Sequence, residues 1–411
     1  MSNRSHPLLQ IRSEIDPLKT ILLHRPSREL EQLIPKYLDE MLFEDIPYLE
    51  QMQKEHDEFA LQLTSRGIEV LYFENLLKET LAQQDARVQI VNTVIDELHV
   101  NSASLKEDIR QLLLSRSSGE LAQTLLAGLS KNEVPHSADE KRLSFYIKEG
   151  FPFYLDPLPN LYFSRDYGTV IGNRLSVNTM KARARKRESM LLEQIARYHR
   201  RFTSAGVDLW HHYNEKDSIE GGDILILSPE VIAIGCSART SPEGIEELAE
   251  RIFEKDTGFR EVLVLQIPFA RAYMHLDTVF TMVDRDKFSI FPGIAEHIKV
   301  FSIKPGSKGG LSIIPRENLK KTLSESLGLR GIQLIETGGG DLLTAEREQW
   351  NDGTNTLAIS PGCVVTYRRN TVSNDILRKH NIEVVEIPGS ELVRGRGGPR
   401  CMSMPLYRET E

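Results

Sequence analysis

The tightest constraint on this chain is internal repetition. A short apolar strand, a tight turn and a second apolar strand recur, and each copy follows an acidic or Gly-Asp corner. One copy follows Arg165-Asp166 over residues 169–177, and another follows Glu220-Gly221-Gly222-Asp223 over 224–235. A third follows His275-Leu276-Asp277 over 278–290. A fourth begins at Gly339-Gly340-Asp341 and, after a longer excursion, reaches 357–367. Residues 19–25, with 28–33 behind them, read as a fifth and weaker copy. Apolar residues at helical spacing follow several copies, over 188–198, 245–253 and 317–327. Such strand–strand–helix copies predict a pseudo-symmetric α/β ring whose corners converge on one axis. An ordinary mixed α/β domain with coincidental turns satisfies the same pattern.

One stretch has a different texture. No proline occurs between Pro47 and Pro135, and Leu76, Leu77, Leu81, Val88, Val91, Ile95, Leu98, Ile109, Leu112 and Leu113 recur at three- and four-residue steps. That spacing predicts amphipathic helices, broken near Ser102 and Ser117. We read 76–148 as a helical insertion and 1–75 with 149–411 as the α/β body.

Composition narrows the class. The chain has 411 residues, 27% charged and 40% hydrophobic, which suits a globular protein with a sizeable core. A net charge of -8 argues against a general nucleic-acid binder. Cys236, Cys363 and Cys401 stand far apart and offer neither a disulfide framework nor a zinc ligand set. The first sixteen residues lack the apolar segment of a signal peptide, and no run reaches the ~18 apolar residues of a membrane span. The expectation is a cytoplasmic protein in a reducing compartment, with no membrane partner.

Cys401 is the first candidate nucleophile. Cys236 and Cys363 sit in apolar strand-like runs, whereas Cys401 follows a glycine-rich turn with Arg394, Arg396 and Arg400 close by. Nearby cations lower a thiol pKa, and the thiolate is the attacking form. A free surface thiol is the plainer alternative. His275 and Asp277 are two apart, so on a strand they would share a face and make an acid/base unit. A core histidine satisfied by its neighbour is again the plainer reading. Asp166 and Glu220 stand at corners of two other copies. Several carboxylates facing one cysteine would require a cationic substrate, because uncompensated buried charge is costly. The basic run from Lys181 to Arg187 reads as the start of the 188–198 helix, with one arginine turned inward. Residues 304–310 lack the spacing of a phosphate loop.

Taken together, the motifs resemble bacterial arginine deiminase, within the guanidine-modifying superfamily. The resemblance spans nearly the whole chain: Leu23-His24-Arg25-Pro26, Phe43 to Pro47, Pro159 to Asp166, Glu220 to Asp223, Met274 to Val283, Arg347 to Gly353 and Gly395 to Met404. It implies a five-bladed, pseudo-symmetric α/β propeller of ββαβ modules carrying a helical insertion. It implies Cys401 as nucleophile, His275 as general acid/base, and Glu220, Asp166 and Asp277 as carboxylates around a guanidinium. Asn160, Phe163, Arg185, Arg239, Gly395 and Arg396 match positions that hold or cover the amino-acid end of the substrate. Counting back from Glu188 selects Arg185, with Arg183 and Arg187 beside it. The expected reaction is hydrolysis of L-arginine to L-citrulline and ammonia, without metal or cofactor, by a homodimer or larger homo-oligomer. Agmatine deiminase, dimethylarginine hydrolase and amidinotransferase are rival guanidine chemistries. An RNA-associated protein using the Arg394–Gly398 and Lys181–Arg187 runs is a rival of another class.

Overall fold

The computed structural model describes residues 7–98, 100–134, 151–255, 257–295, 297–307 and 309–410. The end of the expected helical insertion, 135–148, lies outside the described residues.

Five three-stranded units of one pattern account for most strands. In each, two antiparallel strands are followed by a helix and a third strand parallel to the second. Gly168–Ile171, Arg174–Val177 and Leu209–His211 form one unit, with Lys186–Tyr198 as its helix. Ile224–Ile226, Val231–Cys236 and Glu261–Gln266 form the next, around Pro242–Glu254. Phe280–Asp284, Lys287–Ile290 and Gln333–Glu336 follow, with Leu319–Ser326. Leu357–Ser360, Cys363–Tyr367 and Glu383–Ile387 follow in turn, with Thr371–Lys379. The fifth unit joins the two ends of the chain. Leu18–Leu23 pairs antiparallel with Met404–Arg408 and parallel with Glu69–Tyr72, across the helix Leu49–Thr64. A hairpin, Lys299–Pro305 and Leu311–Arg316, extends the Glu261–Gln266 sheet at its edge.

Two expectations needed correction. Gly339-Gly340-Asp341 does not open a strand pair. Gly338, Gly339 and Gly340 all have positive φ, and the Asp341 side chain caps the helix Leu342–Trp350 by accepting from the Thr344 amide. The corner of that unit is instead 352–355. The N-terminal copy takes its first strand from the C-terminus and its helix from Leu49–Thr64, rather than from 28–33.

Helices run from Phe73–Leu81 through Gln84–Glu97 and Ala103–Ser115 to Ser118–Ala127. The two expected breaks are N-caps. Ser102 accepts from the Leu105 amide, and Ser117 forms a reciprocal capping box with Glu120. The apolar face Leu76, Leu77, Leu81, Ile90, Val94, Ile109 and Leu113 is buried in one cluster with Leu22, Val170 and Val177 of the sheets. The helical segment thus shares a core with the α/β units instead of owning one. No helix among the described residues is long and apolar enough to cross a membrane.

One buried group links this body to pH. His56, on Leu49–Thr64, is fully buried beside Phe59 and Tyr72, and neither ring nitrogen has a hydrogen-bond partner. Burial drives its pKa down to about 3, with His24 and Arg25 adding to the effect and Asp57 opposing it. The unfolded chain titrates near ~6.5, so stability is complete above that value and is lost as pH falls from there toward 3, by ~1.4 kcal/mol per pH unit. Replacing His56 with Phe should therefore flatten the fall in urea midpoint between pH 7 and pH 5. An unchanged slope would assign the acid sensitivity to other groups.

Candidate active site

The residues just before the first strand of each unit come together. Asp166 precedes Gly168–Ile171, Glu220 precedes Ile224–Ile226, and His275 and Asp277 precede Phe280–Asp284. Asn355 precedes Leu357–Ser360, and Cys401 precedes Met404–Arg408. All six are buried.

His275 links two corners directly. Its Nε2 lies 2.7 Å from Glu220 Oε2, and its Nδ1 lies 3.7 Å from Asp166 Oδ1. The expectation that His275 and Asp277 share a strand face was wrong in detail. His275 is the extended residue ahead of a tight 3-10 turn, Leu276–Thr278, that contains Asp277. The turn is fixed by Asp223, whose Oδ1 accepts from the Leu276 amide at 2.7 Å, and by the Thr278 hydroxyl donating to the His275 carbonyl. The double glycine after Glu220 has a steric reason: a Cβ on Gly222 would lie 2.7 Å from His275 Cγ. Burial disfavours charge on His275, yet Asp166 and Glu220 outweigh it and raise the pKa to about 9. Burial likewise opposes ionisation of Glu220, but its bond to His275 and the Arg239 charge bring it down to about 2. The Lys181 amide donates to Glu220 Oε1, and Arg239 Nη1 stands 3.9 Å from that oxygen.

Cys401 faces Asp277, with Sγ 3.6 and 3.8 Å from its two oxygens. Asn355 holds the cysteine from both sides: Nδ2 donates to Sγ at 3.1 Å, and Oδ1 accepts from the Cys401 amide at 3.0 Å. Arg400, the preceding residue, donates to Glu14 Oε2, Asp277 Oδ2 and the Ile224 carbonyl. The cationic setting expected from sequence is therefore not what the thiol experiences. Arg394 pairs with Asp45, Arg396 lies over Trp350, and Arg400 is committed to Glu14 and Asp277. Burial and then Asp277, Asp166 and Asp352 push the Cys401 thiol well above its ordinary range, against Arg400. These groups favour the thiol form of Cys401 over the thiolate.

The basic run resolves into a 3-10 turn, Arg183–Arg185, leading into Lys186–Tyr198. Arg185 is the one turned inward. Its guanidinium bonds Asp166 Oδ2 at 2.5 Å, Glu188 Oε2 and the carbonyls of Asn160 and Phe163. Arg183 is exposed, and Arg187 donates to the Asp156 carbonyl. Asp166 Oδ1 is buried without a hydrogen-bond partner. Asn160 donates to the Met41 carbonyl at 2.7 Å. Phe163 lies against Tyr162, ring centroids 3.9 Å apart. Gly395 meets the same pair, since a Cβ there would fall 2.0 Å from the Tyr162 hydroxyl and 3.0 Å from the Phe163 ring. Packing thus accounts for a glycine in the Arg-Gly run. Arg239, near the surface, also reaches Met274 Sδ.

Sequence reasoning missed Asn355, Glu14, Asp223 and Glu188. Asn355 sits at a corner hidden by the misplaced Gly-Asp repeat. Glu14, 386 residues before Arg400, gives no local signal at all.

Comparison with known proteins follows the geometry. The sequence profile of the family described as arginine deiminase matches residues 39–408. Arginine deiminase of Bacillus cytotoxicus is 48% identical over 408 residues, 98% of this chain and 99% of that protein. The Staphylococcus aureus arginine deiminase is 48% identical over 406 residues, 98% of each. Among solved structures, an amidinotransferase of the saxitoxin pathway from Microseira wollei aligns with a TM-score of 0.59 at 13% identity, over 98% of both chains. The inosamine-phosphate amidinotransferase of Streptomyces griseus aligns at 0.54 and 14%, over 99% of this chain and 98% of that one. These structures share the mixed α/β fold. The match over nearly the whole chain, at this identity, means that the chain belongs to the arginine deiminase family.

Proposed function

We propose that the chain hydrolyses L-arginine to L-citrulline and ammonia at Cys401. One observation carries the reading: among the described residues nothing donates a hydrogen bond to the buried Asp166 Oδ1, which has only the His275 imidazole at 3.7 Å, in a cluster where Asp277 faces the Cys401 sulfur. A planar cation with several N–H donors meets that demand, and a guanidinium pairs with carboxylates through two parallel bonds.

In the proposed mechanism, Asp166 and Asp277 pin the guanidinium flat. Its positive charge favours ionisation of Cys401, whose proton passes to solvent, and the thiolate attacks the central carbon. His275, protonated on both nitrogens and fixed through Nε2 by Glu220, donates its Nδ1 proton to the departing nitrogen. The C–N bond breaks, ammonia leaves, and an amidino-cysteine remains. Neutral His275 then takes a proton from water as its oxygen attacks. The C–S bond breaks, the hydroxyl proton of the collapsing intermediate passes to the sulfur, and L-citrulline departs, leaving the thiol and the imidazolium. Asn355 orients the sulfur throughout. Asn160, Phe163, Arg185, Arg239, Gly395 and Arg396 are assigned to the amino-acid end of the substrate. The commitment of Arg185 to Asp166 and Glu188 gives it a second role, balancing charge behind the guanidinium.

We further propose that the five units close as a five-bladed pseudo-symmetric propeller, with 76–148 as an insertion into a body formed by 1–75 and 149–411. Six site residues on five corners support that closure. Assembly as a homodimer or larger homo-oligomer is part of the same reading.

Cys401→Ser should abolish citrulline formation while leaving the circular dichroism spectrum intact. Turnover within ~10-fold of the parent, about 1.4 kcal/mol of barrier, would remove Cys401 from the role. Because His275 is protonated below about 9, kcat/KM should fall as pH rises through that value. Glu220→Gln should move this alkaline limb down by ~1–2 pH units, since it removes a hydrogen-bonded negative charge. A limb that stays in place would separate it from the His275–Glu220 pair. L-Arginine should exceed agmatine in kcat/KM by ~10^3-fold, because agmatine leaves buried arginine donors unmatched. Equal values would retain guanidine chemistry and reject L-arginine as its substrate.

A further inference from the structure

Arg396 is held in an unusual way. Its backbone is left-handed, with φ 65, in a residue type that seldom adopts this region. Strain of this kind persists where the surroundings enforce it, and it concentrates at ligand clamps. The backbone closes the 3-10 turn Leu392–Gly395, and the side chain is held by an aromatic contact. The guanidinium carbon lies 3.4 Å above the centroid of the Trp350 ring, and the Arg396 amide donates to the Val393 carbonyl at 2.9 Å. Stacking occupies the flat face of a guanidinium and leaves the N–H bonds in its plane free. Arg396 Nε and Nη1 are in fact buried, with no hydrogen-bond partner among the described residues. Two unmade donors cost free energy unless something else accepts from them.

Trp350 has little structural reason to be where it is. It ends the helix Leu342–Trp350, is 48% exposed, and forms part of the wall of a surface cavity of about 500 Å³ with Tyr273, Leu343 and Arg347. A tryptophan that serves only the core would be buried, as Trp210 is. Its packed partner is instead the cation whose donors are unmet.

We propose that Trp350 is a positioning residue for substrate binding: its indole face carries the Arg396 guanidinium and leaves the unmade Nε and Nη1 donors available to the α-carboxylate of the substrate. The inference rests on the arginine deiminase reading above and extends it to specificity. A flat ring restrains Arg396 without taking any of its donors, whereas a carboxylate in the same place would occupy them. Trp350 therefore acts on binding of the amino-acid end and leaves the thiol chemistry alone.

The test compares the parent protein with Trp350→Leu and Trp350→Phe in steady-state citrulline assays, with agmatine as a competitive inhibitor. For Trp350→Leu, KM for L-arginine should rise ~10-fold with kcat within ~3-fold, the size of effect expected from losing a cation–π contact. The agmatine inhibition constant should move less than ~2-fold, because agmatine has no carboxylate, and Trp350→Phe, which keeps a π face, should recover most of the KM. Equal weakening of arginine and agmatine, a fall in kcat at unchanged KM, or no recovery with phenylalanine would each overturn the proposal. Should leucine prevent folding, the Phe variant and quenching of Trp350 fluorescence by L-arginine decide: an emission unchanged at saturating arginine counts against it. A parent protein that releases no citrulline from arginine would fail the underlying reading instead, a result distinct from all of these.

Discussion

The site depends on one buried arginine. Arg400 is 1% exposed and spans three stretches far apart in sequence: Glu14 near the N-terminus, the Ile224 carbonyl and the Asp277 carboxylate. It precedes Cys401, so the same contacts that neutralise Asp277 fix the cysteine loop against two corners at once. Removing one partner of such a buried pair leaves an uncompensated charge and costs about 3–5 kcal/mol. Glu14 illustrates the balance. Burial opposes its ionisation, but Arg400 and Arg165 hold its pKa at about 2. The N-terminal segment is thereby part of the electrostatics of a cysteine near the other end of the chain.

The fold was legible where the signal was local. Apolar strand–turn–strand runs in 169–177 and 224–235, and helical spacing around Leu76 or Ile245, depend on neighbours a few residues away. The breaks expected at 102 and 117 fall at helix starts, because a serine side-chain oxygen there takes an orphan amide. Reasoning failed where partners were remote. Met404–Arg408 pairs with Leu18–Leu23, and no short-range pattern announces a strand shared by the two ends. It failed too where one motif had two uses. Gly-Gly-Asp at 221–223 sets a carboxylate against the His275 turn, whereas Gly-Gly-Asp at 339–341 caps a helix.

The candidate site was legible in its residue types and misread in its electrostatics. Asp166, Glu220, His275, Asp277 and Cys401 do meet, but the three arginines flanking the cysteine in sequence turn to other partners. Sequence proximity places a charge within a few residues; it does not say which carboxylate that charge already serves. Arg185 makes the same point from the other side, being held by Asp166 and Glu188 within the carboxylate cluster.

A thiol raised by burial and by three carboxylates is by itself a poor nucleophile, which looks at first like a defect for a cysteine enzyme. On the proposed reading it is a consequence of substrate charge. The carboxylates that suppress the thiolate are the groups that a guanidinium would neutralise, so binding relieves the repulsion that keeps the proton on sulfur. An uncharged electrophile brings no such relief and meets a neutral thiol. Reactivity is then coupled to recognition through electrostatics alone, without a moving part. The same coupling explains why His275 must be cationic before the chemistry starts. Glu220 and Asp166 maintain the imidazolium, and the guanidinium with the newly formed thiolate then adds one charge of each sign to the site rather than a net excess.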